Sequence, residues 1–295
     1  MTSSPTRALV VLGGLLAFAS FAVPMAWGIH FHLAGLVQAA AGSALLVTSS
    51  ALALNGSRPV ALPPRRAVPA VLATTAANAV TPAGIGGTVL TLRIHRRSGL
   101  STEQAAAAAS LRTAVGGLTA TCITAIAAST VGMKAMPSGG TGVKIALGVL
   151  VVLATTVVAM PKTRRRALGS AGRFLSAVWD VVRRPRCFAS LVVGCAGVTL
   201  AQLLTLQGAV HAVGGHVPWA DLLVALLGSA AARSAVPSPG GVGPIEAALV
   251  GGLTALGMGW GTAATAVAVY RTAGHWLPVL AGVLSIRELR RRELI

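Results

Sequence analysis

Val236-Pro237-Ser238-Pro239-Gly240-Gly241-Val242-Gly243-Pro244-Ile245-Glu246 decides how the rest of the chain is read. Three prolines and three glycines fall within residues 236–244, in the middle of a long apolar region. Proline donates no backbone hydrogen bond and glycine is a poor helix former, so a helix must break here. Broken backbone at membrane depth persists only where it is buried in protein or lines a wet cavity. Directly behind the break stands Glu246, the only carboxylate expected to lie within the membrane. An ionisable group at that depth marks a functional site.

The surrounding composition supports a membrane reading. The chain has 295 residues, 54% hydrophobic and 10% charged, with mean hydropathy +0.77. Soluble domains carry about a quarter charged residues. This is the composition of an all-α integral membrane protein. Basic residues number 24 against 6 acidic ones. Cytoplasmic loops collect Lys and Arg, which accounts for the excess, and attraction to anionic headgroups is a further benefit. The cations are spread through short loops without a nucleic-acid motif, so nucleic acid is not an expected partner. Cys122, Cys187 and Cys195 form neither a disulfide framework nor a zinc motif. His30 and His32 alone are too few ligands for a metal, and none is expected. No nucleotide-binding loop, metalloprotease motif or nucleophile elbow occurs, so no catalytic residue and no cofactor are assigned.

Outward from the break, apolar runs at 8–27, 33–54, 104–131, 143–160, 187–211 and 261–285 are expected to be six transmembrane helices. Residues 67–92 and 218–257 are two further apolar stretches, each interrupted by Pro and Gly. The charge count orients them. With both termini cytoplasmic and 67–92 entering and leaving on one side, nineteen basic residues lie inside and only Lys134 and Lys144 outside. A full crossing by 67–92 would put the eight-charge loop 161–186 outside, against the positive-inside rule. Residues 67–92 are therefore expected to be re-entrant. The same parity has 218–257 start and finish outside, either as two full spans or as a hairpin from the outside with the Pro-Gly break at its tip.

The two halves then mirror one another. Residues 33–131 form the first half-repeat and 187–285 its inverted partner, within a single polytopic domain covering 1–295. Both hairpins break at Pro and Gly, at Thr81-Pro82-Ala83-Gly84-Ile85-Gly86-Gly87 and at 238–243. Each is followed by a span holding one Arg, Arg112 or Arg271. Gly87 to Arg112 is twenty-five residues, as is Glu246 to Arg271. Inverted repeats whose broken helices meet near the midplane characterise many transporters.

The candidate substrate-binding residues follow from this arrangement. Glu246 and Arg271 are expected to form a central polar pair, with Arg112 and Arg233 as further cations. One acid against three Arg favours an anionic headgroup, because Arg binds phosphate through paired N–H groups. Asn78, Pro82, Gly84 and Gly86 mark the first tip; Pro239, Gly240, Gly241 and Gly243 mark the second. Freed N–H groups at a half-helix start either face an anion or are closed by Thr74, Thr75 or Asn78. His275, four residues after Arg271, shares its face and reads chiefly as packing.

The run 236–246, then Leu256-Gly257, Tyr270-Arg271 and Trp276-Leu277-Pro278 ending at Gly282, resembles the lysylphosphatidylglycerol synthase transmembrane (flippase-like) domain family. Asn78-x3-Pro82-x3-Gly86, Arg97-x-Gly99-Leu100-Ser101 and Arg112 resemble that family's first motif. The likeness covers roughly 33–285. It implies a lipid-handling membrane domain. In that family the first motif usually ends in an acid, and an acid usually precedes the Arg of the following span; here those positions hold Gly87 and Leu111. The best-known relatives add a soluble aminoacyl-transferase domain that these 295 residues do not contain, so synthase activity is not implied.

The leading expectation is a multi-pass plasma-membrane protein that translocates or presents an anionic or glycosylated lipid between leaflets. A non-catalytic accessory subunit, serving a partner enzyme of lipid or cell-wall glycosylation, is one alternative. An ion-coupled small-solute transporter is the other.

Overall fold

The computed structural model describes residues 30–58, 61–81, 85–131, 178–236 and 240–291, together with Gly172, Ser176 and Ser238. The apolar runs expected at 8–27 and 143–160 lie outside the described residues. Among the described residues the regular structure is helical, with no strand. In chain order the helices are α1 Leu33–Gly56, α2 Pro64–Val80, α3 Ile85–Arg97, α4 Thr102–Val131 and α5 Pro185–Ala212. They continue with α6 Trp219–Ala235, α7 Pro244–Ala255, α8 Trp260–Arg271, a π-helical turn Thr272–Trp276, and α9 Leu277–Arg291.

Three of these helices are long and apolar enough to cross a membrane: α1, α4 over Thr102–Ala127, and α5. At about 1.5 Å per residue, their 24 to 28 residues exceed a hydrocarbon core of about 30 Å. Large apolar side chains such as Leu33, Leu118, Ile126 and Val193 are well exposed. Their outward placement suits a lipid environment, where exposed hydrocarbon carries no aqueous penalty. This is a helical membrane protein.

The packing is organised along α1 and α5, the most extensively paired helices. They run antiparallel with small residues at the seam. A Cβ added at Gly35 would land on the Ala212 backbone, at Gly42 on Thr205, at Gly56 on Leu191, and at Gly208 on Ala39. Glycine at these positions lets the two backbones touch, and dispersion between them replaces the hydrophobic drive that lipid does not supply. Around this seam the contacts come in pairs. Helix α2 packs on α3 as α6 packs on α7, and α3 on α4 as α7 packs on α8. Across the halves, α2 packs on α9 as α6 packs on α4.

Both expected breaks are present. α2 ends at Val80 and α3 begins at Ile85; α6 ends at Ala235 and α7 begins at Pro244. Two boundaries differ from expectation. The basic segment Arg93–Arg97, beyond the apolar stretch 67–92, is the last turn and a half of α3, held inward by the buried Ile94 and His95. The last apolar run is not one regular helix: a π-helical turn separates α8 from α9, and helix continues through the basic tail to Arg291. Ser43 of α1 donates its hydroxyl to the Ala273 carbonyl inside that turn at 2.7 Å. A tertiary partner thus takes up a backbone acceptor within the local π register.

Candidate functional site

The second break is built from backbone that only glycine adopts readily. Gly240, Gly241 and Gly243 have φ of 62°, 68° and 97°, where a Cβ is strained. The turn they make ends at Pro244, whose fixed φ and missing N–H suit the first position of α7. One turn in, Glu246 reaches back: its Oε2 accepts the Gly243 N–H at 2.7 Å. This is one arm of a capping box, with the carboxylate at the positive end of the helix.

The other carboxylate oxygen meets Arg271, arriving from the end of α8. Arg271 Nε lies 2.6 Å from Glu246 Oε1. The N–H is directed away from that oxygen, so the contact is ionic rather than a well-aimed hydrogen bond. A second guanidinium nitrogen, Nη2, donates to the Gly240 carbonyl at 3.0 Å. Arg271 therefore ties the turn, the start of α7 and the end of α8 together. Its side chain is 8% exposed, against 31% for Glu246.

Beside this triad is a cavity of about 140 Å³ between α1, α5, α6, α7 and the π-turn. Its polar lining includes Gln202, Ser229, Arg233, Tyr270, Arg271 and His275. Arg233 lies against Gly241 at the break. With Arg233 and Arg271 against Glu246, the local formal charge is positive. His275, read from sequence chiefly as packing, lines the cavity with Nε2 buried and without a hydrogen-bond partner. The buried hydroxyl of Ser238, at the same turn, also lacks one.

The first break meets the second. Gly240 N–H donates to the Asn78 carbonyl at 3.3 Å, and Gly240 stands against Ala79. Asn78 is thus at the junction of the two tips and Gly86 packs within the first, against Ala77 and Thr81, while Pro82, Gly84 and Pro239 lie outside the described residues. Two of the freed N–H groups of α3 are closed from within. Asn78 Oδ1 accepts from Gly87 at 2.7 Å and Thr81 Oγ1 from Gly86 at 2.8 Å. Thr74 and Thr75 bond back to Val71 instead. Gly87 stands where the second half has Glu246, and the Asn78 amide fills the space its Cβ would take.

Arg112 does not join the central pair. Its segment lies beside α5, where the Cys195 thiol is 3.8 Å from the Arg112 carbonyl. Its side chain acts electrostatically on His95 at the end of α3. Arg58, just beyond α1, acts on the same histidine. The sequence gives no signal that Arg58 and His95 are buried; they look like their neighbours in polar, basic stretches. Among the described residues no cluster of three or more His, Cys, Asp or Glu is placed to hold a metal.

A family model described as the lysylphosphatidylglycerol synthase TM region matches residues 7–282. No curated protein matches the chain.

Proposed function

Since the chain belongs to the lysylphosphatidylglycerol synthase transmembrane-region family, we propose that it moves or presents a lipid with an anionic or glycosylated headgroup between the leaflets of the plasma membrane. The observation that carries this reading is Arg271, held by Glu246 and the Gly240 carbonyl at a broken-helix tip, against a polar, positively charged cavity. A cavity of this size takes a phosphate-sized group and leaves the acyl chains outside. In the cavity wall His275 Nε2 is a polar atom whose hydrogen-bonding capacity is unused within the protein, and Ser238 Oγ, at the adjoining turn, is another. Pre-placed groups of this kind hold an anion without reorganisation.

The inverted-repeat reading is supported by the paired packing of the two halves about the α1–α5 seam. The positive-inside count favours both termini in the cytoplasm and six full spans with two re-entrant hairpins. Under this topology the two tips approach from opposite sides and meet at Asn78 and Gly240.

The test is leaflet exchange by purified protein in liposomes, comparing labelled phosphatidylglycerol with a zwitterionic lipid. Exchange of the anionic lipid well above empty vesicles, lost in Glu246→Gln and in Arg271→Ala, is the expected result. Exchange no faster than in empty vesicles overturns translocation and moves the weight to an accessory role, pursued through what co-purifies. Proton-coupled solute uptake abolished by Glu246→Gln would instead establish a transporter.

A further inference from the structure

Away from the central cavity, two basic side chains, Arg58 and His95, are buried at the end of the first half-repeat that the charge count places toward the cytoplasm. Arg58 follows α1 directly and is 1% exposed; His95 sits in the last turn of α3 and is fully buried. Ile94 packs with Leu54 and Leu62, which bracket Arg58 in the chain, so the end of α3 is pressed against the end of α1. Leu111 and Val115, on either side of Arg112, pack on Ala53 of α1 and Leu191 and Cys195 of α5. Asn55 and Leu62, on either side of Arg58 in the chain, are tied together. Asn55 exchanges two side-chain hydrogen bonds with the Leu62 backbone, each 3.0 Å, and Ser57 Oγ donates to Leu54 at 2.9 Å.

The unpartnered polar atoms at this end belong to Arg58 and His95. Arg58 Nε and Nη1 and both ring nitrogens of His95 are buried without a hydrogen-bond partner. A buried donor without an acceptor costs about 1–3 kcal/mol, and more when it is charged. Helix C-termini at α1 and α3 favour cations nearby, but the unpartnered nitrogens show that those carbonyls do not satisfy them. Burial and the charges of Arg58 and Arg112 lower the His95 pKa to about 3, with no carboxylate acting against them. The imidazole is therefore neutral and offers one N–H. Next to the cluster is a second cavity of about 90 Å³, lined by Ser57 and Leu111, the chain neighbours of Arg58 and Arg112, and by Asp180 and Arg184.

We propose that Arg58 and His95 form a second anion site, separate from the central cavity, that takes a phosphate group at the end of α1 and α3. A guanidinium with two open N–H groups and a neutral imidazole donor suit a tetrahedral oxyanion, which accepts several hydrogen bonds at once. The phosphate belongs either to a lipid headgroup of the facing leaflet or to the free ion. Binding fixes the end of α3, which carries the first tip at its other end, so occupancy is read at the junction of the tips. The site stands whether or not lipid crosses the membrane.

The experiment uses full-length protein in zwitterionic nanodiscs and reads thermal unfolding. Inorganic phosphate is titrated against sodium chloride of equal ionic strength, and in a second arm short-chain phosphatidic acid is added to the disc. The wild type is expected to be stabilised by one of the two probes beyond the salt control. Stabilisation by the free ion assigns free phosphate; stabilisation by the lipid alone assigns a headgroup. Arg58→Gln and His95→Gln are expected to weaken the response at least tenfold, while Arg66→Gln, an exposed charge on α2, leaves it unchanged. Should Arg58→Gln not fold, Arg58→Lys keeps the charge, removes the fork and is expected to weaken the response as well. No stabilisation beyond salt by either probe, or equal loss in Arg66→Gln and Arg58→Gln, overturns the proposal.

Discussion

The pair Glu246–Arg271 supports a prediction about asymmetry. Replace each by Ala, and both together, and measure unfolding in detergent by tryptophan fluorescence. Exposed ion pairs contribute about 0.2–1 kcal/mol, and breaking a buried one costs about 3–5 kcal/mol. Here one partner is 8% exposed and the other 31%, so the coupling falls between, at about 2 kcal/mol, or roughly thirtyfold in the folded-to-unfolded ratio. The single substitutions differ in what they leave behind. Glu246→Ala strands a nearly buried guanidinium with only the Gly240 carbonyl, and also removes the acceptor for Gly243 N–H. Arg271→Ala leaves a carboxylate that still caps α7 and reaches solvent. Glu246→Ala is therefore expected to be the more destabilising by about 1–2 kcal/mol. A coupling below about 0.5 kcal/mol, the range of a surface pair, would refute the reasoning, as would Arg271→Ala being the costlier change.

Three further predictions concern the scaffold. Gly208→Val drives a side chain into the Ala39 backbone and is expected to lower stability by about 1–3 kcal/mol, checked by thermal unfolding; an unchanged melt would mean the seam is not close-packed. Asn78→Ala and Thr81→Val each remove an acceptor from the start of α3, at about 1 kcal/mol, and should speed hydrogen exchange at Gly87 and Gly86 respectively while leaving α7 unaffected. His95 is neutral in the fold down to about pH 3, whereas the unfolded chain takes up a proton near pH 6.5. Its contribution is complete above about pH 6.5 and is lost as pH falls, by about 2 kcal/mol at pH 5. Melts in phosphate-free buffer at about pH 7.5 and 5 should show the drop, and His95→Gln, which cannot titrate, should flatten it.

The breaks were legible because proline and glycine act locally: no neighbour restores a missing N–H or makes a positive φ comfortable for other residues. The pairing of Glu246 with Arg271 was legible through spacing and the scarcity of acids. Other features depend on contacts the chain makes only after folding. The π-turn arises where Ser43, more than two hundred residues away, engages the Ala273 carbonyl. Arg112 has the spacing of Arg271 but not its partner. With Gly at position 87, no carboxylate stands at the first tip, and Asn78 from the preceding helix closes it instead. Arg58 and His95 sit in stretches whose charges are mostly exposed, and only tertiary packing buries these two.

The glycine seam also sets how the molecule can move. Where two backbones touch at Gly35, Gly42, Gly56 and Gly208, neither sliding nor separation is possible without collision or loss of contact along the whole length. Helices α1 and α5 therefore behave as a single stiff axle. The tips themselves are joined more lightly, by a backbone hydrogen bond from Gly240 to Asn78 and the contact of Gly240 with Ala79. If the proposed lipid movement requires the hairpins to rock about that axle, the Gly240–Asn78 bond is the lightest link to part, while the close contact of Gly282 on α9 with the Leu72 carbonyl of α2 must give or travel with it.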